Sequence, residues 1–181
     1  MWNEIVAQIV SGFALLIGAA SYFVNKKNYL FFQALTMIGL ALSYLLLGEY
    51  FAMLALAVGL GRALTFYWYE KEGKNAPLFL SFLFAGLTVA AYLIVNLCIQ
   101  KTAKYEDILY LIAMIFFAFT FRIRDLKTLR YVTLIPAGLS VIYGCLCNAT
   151  IFAILAYVLE LVAVIFSILK YHVFGKEVEG K

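Results

Sequence analysis

Residues 131–169 read YVTLIPAGLSVIYGCLCNATIFAILAYVLELVAVIFSIL, and Glu160 is the one charge in these 39 positions. As a single α-helix the stretch would be about 58 Å long, nearly twice the hydrocarbon thickness of a bilayer. It must therefore turn back on itself, and Leu146–Ala149 is where the break falls. Working outward, Ile5–Asn25, Asn28–Gly48 and Asn75–Gln100 each run for more than 20 residues without a charge. Each is long enough to cross a membrane as a helix.

Composition agrees. Of the 181 residues, 66% are apolar or aromatic and 13% are charged, about half the charged share of a soluble domain. Too little polar side chain is present to cover a water-facing surface. Trp2, Asn3 and Glu4 stand where a cleaved signal would be basic, and Lys26 and Lys27 follow the apolar segment instead of preceding it. The net charge of +4 does not point to nucleic acid, because the basic residues sit at helix ends. Cys98, Cys145 and Cys147 match no metal-binding spacing, and no cofactor motif is present.

The pattern predicts seven spans: Ile5–Val24, Tyr29–Leu47, Tyr50–Tyr69, Pro77–Cys98, Glu106–Phe121, Tyr131–Cys145 and Thr150–Lys170. The fifth is short for a crossing. Lys and Arg accumulate in cytoplasmic loops, so their distribution tests it. With seven spans, eleven basic residues fall on one side and only Lys101 and Lys104 on the other, with Arg62 inside a span. Without the fifth crossing the split falls to nine against four. The expectation is an outside N-terminus and a cytoplasmic C-terminus, in a bacterial inner (plasma) membrane. Glu106 and Asp107 then sit at the N-terminus of helix five, where the helix dipole favours carboxylates.

Thr36-Met-Ile-Gly-Leu-Ala-Leu-Ser43 matches Thr133-Leu-Ile-Pro-Ala-Gly-Leu-Ser140 at an offset of 97. Both copies lead into a tight turn. The expected fold is all-α: two parallel three-helix repeats, residues 1–74 and 105–174, joined by a linker helix in 75–104 and followed by a cytoplasmic tail, 175–181.

That three-plus-one-plus-three arrangement resembles the SWEET and PnuC-type transporters, although the proline-glutamine pair of the SWEET-like group is missing. The chain looks closer to the YgjV-type bacterial inner-membrane proteins, on Gln33, Leu46-Leu47-Gly48, Arg62 and Glu160. That resemblance implies a small multi-span membrane protein and no particular substrate.

Arg62 and Glu160 are the charges placed deep in spans, at nearly repeat-equivalent positions 98 apart. A charge at the bilayer centre costs about 3 kcal/mol even on the lenient translocon scale. The pair is therefore expected to meet, as a binding or proton-coupling site or as a packing pair only. Gln33, Thr36, Ser43, Thr133 and Ser140 could join it as solute ligands, though each alone reads more simply as a helix–helix hydrogen bond. Gly39 and Pro136 share a repeat position, as hinges or as a static kink. The lone His172 follows the last span with no nucleophile beside it, so an enzyme is not expected. The reading is a facilitative or proton-coupled transporter of a small polar solute, against a non-transporting structural or accessory protein. The bilayer and the solute are its expected partners, and a homo-oligomer is compatible with the sequence.

Overall fold

The computed structural model describes residues 2–21, 23–99, 104–123, 125–147 and 151–170. The tail 175–181, His172, Lys101, Arg124, Lys176, Lys181 and the predicted start of span seven at Thr150 lie outside the described residues. Within them the chain is all-α. Its helices are α1 (Trp2–Ser21), α2 (Lys26–Leu47), α3 (Tyr50–Lys71), α4 (Leu78–Ile94), α5 (Tyr105–Thr120), α6 (Leu126–Leu146) and α7 (Ile151–Ile168). A wider π-type turn, Val95–Ile99, extends α4.

Local chemistry sets these boundaries. Asn25 caps α2 by accepting from the Asn28 amide at 3.0 Å. Gly48 ends it in the left-handed conformation at φ 77°, which costs a glycine nothing. The Glu49 amide then bonds the Tyr44 carbonyl at 3.0 Å, so α3 can start at Tyr50 after a two-residue turn. Helix α6 begins five residues before the predicted Tyr131, because Asp125 accepts from the Lys127 and Thr128 amides. Arg130, read from the sequence as a loop residue, consequently lies on α6 and is buried.

Packing inverts the arrangement of a soluble protein. On α1 the outward residues are Ile5, Ile9, Phe13 and Leu16, whereas the buried ones are Ala7, Ser11, Ala14, Gly18 and Ser21. Small residues let the backbones of α1 and α2 approach closely, as membrane helices do where lipid is as apolar as leucine. A Cβ on Gly39 would lie 2.8 Å from that of Ala14, and one on Gly18 would lie 3.2 Å from Thr36. Two hydrogen bonds cross the same seam, from Ser43 Oγ to the Ala7 carbonyl at 3.1 Å and from Gln33 Nε2 to Ser21 Oγ at 3.2 Å.

The principal neighbours form a closed cycle, α1–α2–α3–α5–α6–α7 and back to α1, with α4 outside against α3 and α5. One end of the bundle carries the turn at Glu49, the other the end of α3 at Lys71. Among the described helices, α1, α2, α3, α4 with its π turn, α6 and α7 are long and apolar enough to cross a membrane. Helix α5, with 16 residues, spans about 24 Å and is not one of these six.

Candidate functional site

Side chains reaching across the cycle fill its centre. Near the Glu49 end, the Tyr44 hydroxyl of α2 meets the Tyr157 hydroxyl of α7 at 2.9 Å. Tyr110 of α5 stacks on Tyr143 of α6, with ring centroids 4.4 Å apart. Tyr110 also approaches Tyr157, but without hydrogen-bond geometry. The hydroxyls of Tyr110 and Tyr143 have no hydrogen-bond partner among the described residues. Nearer the Lys71 end, Tyr29 of α2 packs edge-on against Phe121, just past α5.

Arg62 of α3 lies between these two layers and is 1% exposed. Its Nη1 donates to the Met114 carbonyl of α5 at 2.9 Å. The Phe121 and Phe117 rings cover the guanidinium, 4.8 and 5.8 Å from its Cζ, and both arrangements are attractive for a cation over an aromatic face. Its Nε and Nη2 have no hydrogen-bond partner among the described residues. A buried donor left unmatched costs about 1–3 kcal/mol, so packing stability alone does not account for an arginine here.

The expected Arg62–Glu160 contact is not formed. Arg62 turns toward α5, because Met114 offers a carbonyl and Phe117 and Phe121 offer ring faces within reach of its side chain. Glu160, half-buried on α7, keeps contacts of its own. Both charges lie within electrostatic reach of the same phenol, Tyr110, which therefore stands in the field of each.

The other candidate ligands point elsewhere. Gln33 and Ser43 serve the α1–α2 seam described above. Thr36 donates to the Phe32 carbonyl at 3.0 Å and packs against Gly18. Thr133 and Ser140 donate one turn back along α6, to Leu129 and Pro136 at 2.7 and 2.9 Å. Of the two hinge candidates, Gly39 is a contact point between helices, and α6 runs unbroken through Pro136.

Two further ties join the halves of the cycle at its ends. Lys104 Nζ pairs with Glu49 at 3.1 Å. At the Lys71 end, Arg122 Nε donates to the Ala76 carbonyl at 3.3 Å. Beside it a narrow crevice, lined in part by Phe66, Glu70, Lys74 and Arg122, has Phe121 in its wall. The same ring covers Arg62, so Phe121 is common to the crevice wall and the cover of the buried guanidinium. The tyrosines, Met114, Phe117 and Phe121 were not singled out by the sequence. The chain has 29 phenylalanines and tyrosines (16 and 13), and only helix orientation distinguishes an inward ring from a lipid-facing one.

Six membrane-length helices, apolar outward faces and a polar centre define a polytopic helical membrane protein. The family model of Imp-YgjV, described as bacterial inner membrane protein, matches residues 5–175, and the chain belongs to that family. Its location is accordingly a multi-pass one in a bacterial inner membrane. No curated protein and no solved structure matches the chain.

Proposed function

We propose that the protein carries a small polar solute across the inner membrane, passively or with a proton, along an axis between two three-helix units. The observation that carries this reading is Arg62: a guanidinium fully buried at mid-length of α3, two of whose nitrogens have no hydrogen-bond partner among the described residues. A mid-membrane charge of this kind normally marks a solute or ion pathway. The cycle of neighbours supports the two units. Exchanging α1–α2–α3 with α5–α6–α7 reproduces it, since α3 meets α5 as α7 meets α1. In this reading α5 crosses as the seventh span. Helix α5 packs against α3, α4 and α6 on one side and turns Ile108, Ile112 and Phe116 outward, the apolar stripe that a short crossing helix needs where it meets lipid.

The tyrosine layer and the Glu49–Lys104 pair form the outer closure, and Phe121 the inner one. Glu160 acts through Tyr110, taking up a proton where transport is coupled. The test is flux into proteoliposomes, comparing wild type with Arg62→Met and Glu160→Gln. Loss of solute uptake in Arg62→Met, with the variant still inserted and folded, is expected. Unchanged uptake in that variant removes the pathway.

A second reading has its own observation. Thr36, Ser43, Thr133 and Ser140 all donate to helix carbonyls, as in a protein whose polar groups only bind helix to helix. A non-transporting accessory protein would show no flux with any solute, and Arg62 could be replaced by a well-packed apolar residue without loss of stability.

A further inference from the structure

A guanidinium does not offer its five donors equally. Nε–H and one N–H of Nη2 point the same way along one edge, spaced to meet the two oxygens of a single carboxylate. Nη1 lies on the opposite side. In this protein Nη1 is engaged by the Met114 carbonyl, and the nitrogens without a hydrogen-bond partner among the described residues are Nε and Nη2. The uncommitted donors are thus the two that make up the bidentate edge. Contacts on the rest of the group hold that edge in place. Phe121 and Phe117 lie over the guanidinium, 4.8 and 5.8 Å from Cζ, and the Met114 bond holds the planar group against rotation about the Cδ–Nε axis.

We propose that this edge of Arg62 is a binding site for one carboxylate, and that the solute is a small monocarboxylate. Identifying the bound group as the solute rests on the transport reading above; the binding site does not. Charge and space favour a planar monoanion. One guanidinium balances one negative charge, whereas a dianionic phosphate would leave a charge uncompensated inside the bundle. Room beside the edge is limited, since even a Cβ added at Gly59 would come within 3.5 Å of Nη2 and 3.1 Å of Met37 Sδ. The crevice at the Lys71 end shares the Phe121 ring with the guanidinium. Its lining carries two cations, Lys74 and Arg122, and one carboxylate, Glu70, with Lys74 also paired to Glu72 at 2.7 Å.

The experiment uses matched pairs of probes on the purified full-length protein in detergent: acetate against acetamide and benzoate against benzamide, with chloride holding ionic strength constant. A carboxylate present at about ten times its Kd should raise the unfolding temperature by about 3 °C, and its neutral amide should not. Arg62→Lys keeps the charge but loses the paired edge, and should weaken carboxylate binding about ten-fold. Equal shifts from carboxylates and amides, no shift from either carboxylate, or full affinity in Arg62→Lys each overturn the site. If Arg62→Lys does not fold, the acid–amide comparison on wild type decides alone. A carboxylate that binds but does not cross proteoliposomes leaves the site standing and removes the transport reading. Amide flux without carboxylate binding does the reverse.

Discussion

The hydroxyl of Tyr44 on α2 lies 2.9 Å from that of Tyr157 on α7, and both residues are buried. These helices are not neighbours in the cycle, so the bond ties across its centre. Removing one hydroxyl leaves the other buried without this partner, at a cost of about 1–3 kcal/mol. Tyr44→Phe and Tyr157→Phe should each lower the unfolding temperature by several degrees. The double variant should recover much of that loss, because no orphaned hydroxyl remains from the pair. Additive losses in a double-mutant cycle would show that the two groups do not interact.

Gly39→Ala should destabilise by about 1–3 kcal/mol, the usual range for overpacking. Its new Cβ would sit 2.8 Å from that of Ala14, a distance that forces α1 and α2 apart. Ala14→Gly in the same chain should restore much of the loss. A Gly39→Ala protein with wild-type unfolding temperature would contradict the contact.

Lys104 holds its proton more tightly than an ordinary lysine. Partial burial is the largest single effect and opposes the charge, but the Glu49 carboxylate bonded to its ammonium, together with nearby Asp107 and Glu106, outweighs it. A raised lysine value means the stabilisation is complete below about 10.5 and fades as pH rises through the folded-state value. Between pH 8 and 9, above the range where the neighbouring carboxylates titrate, the difference in unfolding temperature between wild type and Lys104→Met should be constant, and it should shrink in alkali. A difference that vanishes between those limits would assign the effect to another group.

Topology reporters can decide whether α5 crosses. Four spans separate the 72–76 loop from the C-terminus if it does, so reporters at the two places should give the same answer, cytoplasmic for both. Opposite answers would remove α5 from the spans and reverse the orientation of everything after it.

Much of the architecture could be read from residue order. The uncharged runs gave the long helices, and Gly48 marked the turn between α2 and α3. Other features were present in the sequence but needed a different kind of reading. The Asp125 cap that starts α6 at Leu126 is a local signal, masked by Lys127 and Arg130, which put the start of the uncharged run at Tyr131. The stripe Ala7, Ser11, Ala14, Gly18, Ser21 spells out the face of α1 that meets α2, and it explains why Gln33 and Ser43 point there. Arg62 was legible as a costly buried charge. Its partners were not, since Met114 contributes a main-chain carbonyl, which every residue has, and Phe121 resembles the many other aromatics. Repeat-equivalent depth suggested Glu160 as the partner, but equal depth does not fix which way a side chain turns about its helix.

The seam between α1 and α7 also sets an order of events during synthesis. Helices α1 and α7, the first and last among the described residues, close the cycle, so the ring stays open until α7 has left the ribosome. Arg62 is made 52 residues before the Met114 carbonyl that receives it and enters the membrane without that partner. At about 3 kcal/mol for a mid-bilayer arginine, the apolar residues of α3 must carry the insertion by themselves. A nascent chain halted before α5 would hold this charge among lipid or against whatever helix lies nearest, which makes that interval the vulnerable stage of the protein's assembly.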